Sequence, residues 1–421
     1  MNDAPAETGS WSSKRVVVVI GAGYAGVIAA NRLASSFTIE EAARTHVVII
    51  NPTDSFIERI RLHEVAAGTI PTAAVPLSSV LHPDVRLLAG TAVLIDPVNQ
   101  IIGVRTNAET LTLHYELMIY AVGSRTSTGI PGVGAYAYPL ADVDGALRAR
   151  YAIEQGPPGQ RIVIVGGGFT SVEAASEIAE QHPDAGVILL CGGELAESMT
   201  PRARASIRRS LNRLNVTIRS GERVAAVTPE GVVLESGELI SADVCIWSAS
   251  FGVPELAAVS GLATDGIGRL RVDACLRSVE YASIIGAGDA VVVPASVGSH
   301  LRMGCAAALP LGGVAAQTAL SQLRGVEPEP VSVGYVLQCL SLGRRDSYIQ
   351  VVGPDDSPRR LRFRGRTGAW IKEAICRMTV RALQKERLRP GAYKTPKGPP
   401  IASHQDVSIQ TDPDHDAIPR P

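Results

Sequence analysis

The apolar positions of this chain fall mainly into short, nearly unbroken runs rich in Val and Ile, at residues 16–20, 46–50, 117–122, 161–165, 187–190 and 244–249. Runs of this length without polar alternation suit strands buried on both faces. A helical pattern over 24–35 separates the first two runs, and a second helical pattern follows 161–165. Strand–helix–strand order, met twice, predicts an α/β chain built from two βαβ units.

Both units open on glycines. The first reads Val16-Val17-Val18-Val19-Ile20-Gly21-Ala22-Gly23-Tyr24-Ala25-Gly26, the second Arg161-Ile162-Val163-Ile164-Val165-Gly166-Gly167-Gly168-Phe169-Thr170-Ser171. A strand running straight into such glycines and then into a helix is the setting of a dinucleotide-binding turn. Gly21 permits the turn, Gly23 lets a pyrophosphate approach backbone without a Cβ, and Gly26 lets the helix pack on the strand. Tyr24 and Ala25 begin a helix whose free N–H groups and dipole face the phosphates. In the second copy Gly166 and Gly168 take the first two roles, Phe169 and Thr170 begin the helix, and Ser171 replaces the third glycine. One such turn is weak. Two imply two dinucleotides, a flavin and a nicotinamide, with hydride transfer between them.

Length and composition agree: 421 residues, 46% hydrophobic, 19% charged and 41 glycines fit a compact enzyme of two or three domains. A formal net charge of −1 gives no footing for nucleic acid. The acidic start Met1-Asn2-Asp3 lacks an apolar signal core, and the apolar stretch 16–30 is too short to span a bilayer, so a cytoplasmic protein is expected. Six scattered cysteines show no CxxC pair and no metal framework. None precedes Cys191, so no redox dithiol is expected in the first unit, and electrons must leave the flavin directly.

Other segments add chemistry. Asn51 ends the second strand, where an acid usually binds ribose hydroxyls, with Asp54 as a stand-in. Cys191 fills the same slot in the second unit, with Arg202 and Arg204 nearby, so NADH and NADPH both stay open. Residues 54–68, including Arg59, are either a solvated amphipathic helix or a segment reaching the flavin ring. Gly123 lies in the crossover Ala121-Val122-Gly123-Ser124. Gly288-Asp289 sets a carboxylate at a strand end, suited to ribityl hydroxyls, and a helix start near Met303 could face the flavin N1/O2 edge. Beyond 330 short β pieces precede a helix with Ile371, Ile375, Met378 and Ala382 on one stripe. Between Arg359 and Arg389 stand eleven basic residues against two acidic. Such a helix suits an anionic membrane surface, or it packs on the core or against a second copy in a homodimer.

Together these residues resemble the two-dinucleotide-binding-domain flavoproteins, in the branch of the type II NADH:quinone oxidoreductases and apoptosis-inducing-factor-like proteins, over residues 15–390. The resemblance implies two Rossmann-like domains of glutathione-reductase type plus a small α+β C-terminal domain. FAD would bind residues 15–125 and 266–328, a nicotinamide domain would span 126–265, and 329–392 would serve acceptor or interface, with flexible tails at 1–14 and 393–421. Gly21, Gly23, Gly26 and Asn51 would meet the FAD adenosine and pyrophosphate, and Asp289 the ribityl chain. Gly166, Gly168 and Ser171 would meet the nicotinamide cofactor. Glu173 matches the acid at the nicotinamide–flavin junction. The family's quinone-site glutamines have no counterpart, since Ala306, Ala307, Leu309 and Pro310 occupy that region. The implied activity is an FAD-dependent NAD(P)H dehydrogenase delivering electrons to a quinone-like or other small acceptor, the protein cytoplasmic or peripheral on the inner membrane face. A reductase of an electron-carrier protein and a nucleotide-responsive dimerising flavoprotein are the alternatives.

Overall fold

The structure, a computed structural model, describes residues 14–127 and 129–400. The expected leader before Lys14 and the tail from 401 lie outside the described residues. Five parallel strands form the first sheet, in the order Ile284–Gly286, Leu117–Tyr120, Arg15–Ile20, Thr45–Asn51, Val85–Ala89. Val17, Val18 and Val19 are each 0% exposed, so both faces of its central strand are covered. That is why the run carries no polar alternation.

A second sheet repeats the plan with Tyr138–Pro139, Val244–Trp247, Arg161–Val165, Gly186–Cys191 and Thr217–Ser220, again all parallel. In each unit a three-stranded antiparallel meander precedes the strand that returns beside the centre. The meanders are Thr91–Asp96, Ile101–Arg105, Thr110–His114 and Val224–Thr228, Gly231–Leu234, Leu239–Ser241. One supersecondary plan is therefore used twice. A third antiparallel sheet, Leu337–Ser341, Ser347–Val352 and Pro358–Arg364, leads into the long helix Gly365–Leu388.

Core membership moves two expectations. Val253, Leu256, Ala257 and Leu262 pack into the core of the first unit, and the Ala257 N–H donates to the Tyr120 hydroxyl at 3.2 Å. The ribbon pairing Arg125–Thr126 with Phe251–Gly252 thus marks where the chain leaves and re-enters that unit, earlier than residue 265. Residues 54–68 are not one amphipathic helix. They divide into the strand Ser55–Ile57, a 3₁₀ turn Arg59–Arg61 and the helix Leu62–Ala66. Leu62, Val65 and Ala66 join the core of the second unit, which carries His63 and Glu64 into the interior with them.

The C-terminal helix is rotated from its expected stripe. Met378 is 59% exposed, whereas Cys376, Thr379, Leu383 and Glu386 are buried. Apolar periodicity misses this face because its last turn is anchored by a carboxylate. Glu386, 0% exposed, lies 2.6 Å from Arg32 Nε and accepts from the backbone N–H groups of Gly391 and Tyr393, each at 2.7 Å. Arg32 also donates to the Tyr393 carbonyl. Gly334 N–H donates to the Pro396 carbonyl and Gly398 N–H to the Ser332 hydroxyl. Residues 393–398, expected within a flexible tail, are strapped across the first unit.

Removing Glu386 leaves the mostly buried Arg32 guanidinium without its counter-charge and two N–H groups without partners. Glu386→Ala is expected to cost about 3–5 kcal/mol, read by urea unfolding, and to open the 391–398 strap to limited proteolysis. An unchanged midpoint would contradict that role.

Candidate active site

Each glycine turn is shaped by contacts that leave no room for a side chain. Gly21 sits at φ +99°, and a Cβ there would lie 2.5 Å from the Ala121 carbonyl oxygen. A Cβ on Gly26 would press into the Gly21 carbonyl oxygen, so the helix Tyr24–Ser36 crosses its own turn at backbone contact. In the second copy Gly166 takes φ +138°, under the Ser248 carbonyl. Ser171 fills the place of the third glycine with a hydroxyl that donates to the Gly168 carbonyl at 3.1 Å.

The middle glycines behave differently. A Cβ on Gly23 or on Gly168 meets nothing within 4 Å, and both residues are exposed. Each is the N-cap of its helix, Tyr24–Ser36 and Phe169–Gln181, and neither helix start has a side-chain cap. The helices Val143–Gln155 and Pro201–Arg213, by contrast, are capped by Asp142 and Thr200. Uncapped N–H groups at the positive end of a helix, beside backbone without a Cβ, fit a phosphate. The residues present therefore fit two dinucleotides.

Around the first turn the expected residues converge. Tyr24 is buried and edge-on to Phe56 at 5.0 Å. Its hydroxyl has no hydrogen-bond partner, and burial drives it well above the ordinary phenol range. Ala25 lies under Gly288, which takes φ +79°. Asp289 accepts from the Ser124 hydroxyl at 2.8 Å and from the Gly304 N–H at 2.7 Å, where Gly304 caps the helix Cys305–Leu323. Arg59 donates to the Ser124 carbonyl at 2.9 Å, beside Gly123. Crossover, Gly-Asp turn and a third glycine-capped helix start thus form one continuous wall.

Asn51 is used within the turn itself. Its Oδ1 accepts from the Ala22 N–H at 3.0 Å and its Nδ2 donates to the Thr53 carbonyl at 2.8 Å, while Asp54 is exposed. Cys191 ends its strand fully buried, its thiol pushed up to about 11 by burial. It therefore offers no charge to a ribose.

Glu173 lies on the second fingerprint helix and is 7% exposed. Its Oε1 is 2.8 Å from Lys372 Nζ and accepts from the Ser341 N–H at 2.9 Å. Burial would raise this carboxyl, yet the Lys372 ammonium, His63 and these hydrogen bonds hold it below the ordinary value. Burial would likewise lower Lys372, and Glu173 outweighs it, so the amine stays charged. Next to this pair Glu64 meets Arg61 at 3.0 Å and Arg344 at 3.3 Å. Glu177 accepts from the Thr69 hydroxyl at 2.6 Å and pairs with Arg344 at 2.9 Å.

Sequence reasoning named Glu173 and missed Lys372, Arg344, His63 and Glu64 as its neighbours. The signal for two of them was present, a basic helix and the Ser341-Leu342-Gly343-Arg344 turn, but only the docking of the C-terminal sheet brings them to Glu173. Cys339 and Cys376 also lie within reach of the Lys372 charge. Burial pushes their thiols up to about 12 and about 11, so both stay protonated and poorly nucleophilic. All six cysteines are free, and among the described residues no group of His, Cys, Asp and Glu is placed to hold a metal.

The model of the pyridine nucleotide-disulphide oxidoreductase family matches residues 15–306. An NADH dehydrogenase-like protein of Mycobacterium tuberculosis is 28% identical over 357 residues, spanning 78% of this chain and 85% of its own length. A type II NADH:quinone oxidoreductase of Staphylococcus saprophyticus is 26% identical over 399 residues, 86% of this chain and 94% of that protein. In fold, the NDH2 of Plasmodium falciparum solved in complex with NADH superposes with a TM-score of 0.74 at 14% identity, covering 90% of this chain and 99% of that one.

The two middle glycines give a clean separation. Gly23→Ala should fold normally and lose FAD, whereas Gly168→Ala should keep FAD and bind NAD(P)H at least about tenfold more weakly, a loss of about 1.4 kcal/mol. Gly26→Ala should fail to fold its first unit. Bound flavin absorbance and nucleotide titration read all three, and loss of flavin from Gly168→Ala would contradict the assignment.

Proposed function

The chain belongs to the pyridine nucleotide-disulphide oxidoreductase family, and on that footing we propose that it is an FAD-dependent NAD(P)H dehydrogenase that passes electrons to a quinone-like small acceptor. The single observation that carries this reading is the pair of uncapped, glycine-started helices, one in each copy of a repeated unit. The curated relatives named above point the same way, since one of them is a type II NADH:quinone oxidoreductase.

FAD and the nicotinamide, when bound, supply the hydride chemistry. The protein's residues bind and orient. Gly21, Gly23, Tyr24, Ala25 and Gly26 would hold the FAD pyrophosphate, Asn51 would brace that turn from the strand end, and Arg59, Gly123, Gly288 and Asp289 would flank the ribityl chain. Gly166, Gly168, Phe169, Thr170 and Ser171 would hold NADH or NADPH. Glu173 sits one turn into the same helix, keeps Lys372 charged and would hold it at the junction. That fixed ammonium would stabilise negative charge developing on an acceptor oxygen. Neutral, buried thiols beside it favour electron transfer without a redox disulfide.

Among the described residues no helix is long and apolar enough to cross a membrane. Contact with an anionic membrane surface is supported by the C-terminal helix, where Trp370 is 72% exposed on the same face as Arg377 and Arg381, seven and eleven positions on. The same charge would steer an acidic electron-carrier protein.

Anaerobic mixing of the FAD-loaded protein with NADH and with NADPH tests the reading. One nucleotide or both should bleach the flavin within seconds, and a short-chain quinone should restore the colour. Salt-sensitive recovery with an acidic carrier and none with quinone would favour the carrier reading. Failure of both nucleotides to bleach the flavin would end the dehydrogenase proposal.

A further inference from the structure

The strand Gly186–Cys191 ends where a nicotinamide cofactor on this fold presents its adenosine ribose. An acid at that strand end binds the ribose hydroxyls and repels a 2′-phosphate. Here the slot holds none. Cys191 fills it with a buried thiol that donates to the Gly166 carbonyl at 3.8 Å. Gly192 and Gly193 follow as exposed backbone without side chains. A neutral strand end followed by bare backbone leaves room for a group larger than a hydroxyl.

The charges around the slot favour an anion. Glu194, next along the chain, pairs with Arg204 at 3.5 Å, and Glu222 with Arg219 at 2.9 Å. Two other guanidiniums, Arg208 and Arg223, have no carboxylate partner among the described residues. Arg208 stands one turn beyond Arg204 on the helix Pro201–Arg213. Burial raises the Cys191 thiol, and the half-buried Arg208 is near enough to oppose that rise. Arg223 approaches from the other direction, its Cγ 3.9 Å from where a Cβ on Gly192 would lie. Its loop is tied to the slot: the Gly221 N–H donates to the Gly193 carbonyl at 3.1 Å and the Glu222 N–H to the Cys191 carbonyl at 3.0 Å. Against these two cations the slot's backbone meets one carboxylate, Glu197, 3.4 Å from where a Gly193 Cβ would lie.

We propose that NADPH, rather than NADH, is the nucleotide this chain selects, its 2′-phosphate held between Arg208 and Arg223. The proposal rests on the dehydrogenase reading and names its reductant. Guanidinium groups match phosphate oxygens with paired N–H donors, and they bind most strongly where no carboxylate competes. A 2′-hydroxyl makes little use of them and finds no acceptor carboxylate on Cys191. Sequence proximity pointed to Arg202 and Arg204, but Arg204 is taken by Glu194. Arg208 and Arg223 reach the slot only because a helix and a strand turn converge on it, fifteen positions apart in the chain.

Calorimetric titration of the FAD-loaded protein with oxidised NADP and with oxidised NAD tests this without turnover. NADP should bind at least about tenfold more tightly at low salt, and the preference should shrink as ionic strength rises. Adenosine 2′,5′-bisphosphate should likewise bind more tightly than adenosine 5′-monophosphate. Arg208→Gln and Arg223→Gln should each reduce the preference at least about threefold. The double variant should abolish it while leaving NAD affinity nearly unchanged. Equal binding of the two nucleotides, tighter binding of NAD, or a preference untouched by both substitutions would overturn the proposal. Tight NADP binding by a protein whose flavin NADPH does not bleach would instead count against the dehydrogenase reading.

Discussion

The ion pair between Glu173 and Lys372 is the contact on which the arrangement of the rest depends. Three separate stretches of chain meet at one carboxylate: the second fingerprint helix supplies Glu173, the C-terminal sheet the Ser341 N–H, and the C-terminal helix the ammonium. Buried pairs of this kind contribute little net stability, because desolvation offsets most of the attraction. What they do is penalise every other arrangement, since a shifted C-terminal domain would leave a charge alone in the interior. The pair thus acts on register. It fixes where the small domain sits relative to both glycine turns.

The same logic extends outward. Arg61, Glu64, Arg344, Glu177 and Thr69 form a second layer in which almost every charge has a partner. That layer joins the helix Leu62–Ala66 of the first unit to the fingerprint helix of the second. Two dinucleotide-binding units built on one plan are thereby held by charges that face inward, where a hydride-transfer site needs a fixed field and few waters. The apolar cores cross the same boundary: Leu62 and Val65 pack with Val172 and Ile178. On the proposed reading, binding groups would come from backbone and helix ends, and positioning from this charged layer.

Much of the fold was legible from pattern alone. Unbroken Val and Ile runs announced buried parallel strands, and both glycine turns fell where their strands ended. Glu173 was singled out only through resemblance, because a carboxylate early in a helix is ordinary, and its burial against Lys372 is what the structure adds. Lys372 and Arg344 were illegible for a physical reason: their roles arise from contacts more than 160 positions apart, made when a sheet of weak local pattern docks. The C-terminal helix misled in a related way. Its buried face includes Glu386 and Thr379, polar residues satisfied by distant partners, so hydrophobic periodicity indicated the wrong stripe. Residues 54–68 were ambiguous because charge and apolar residues alternate there at helical spacing, and only their burial in the second core settles which side wins.

For hydride to pass, both nucleotides must lie against one another at the Glu173–Lys372 junction. A crystal structure of the protein loaded with FAD and oxidised NAD or NADP tests this most directly. The nicotinamide C4 should lie about 3–3.5 Å from the flavin N5, with the nicotinamide reached from the Phe169–Gln181 helix and Glu173 beside the stacked rings. Nucleotides bound in separate places with the rings out of contact, or a nicotinamide directed away from Glu173, would contradict it.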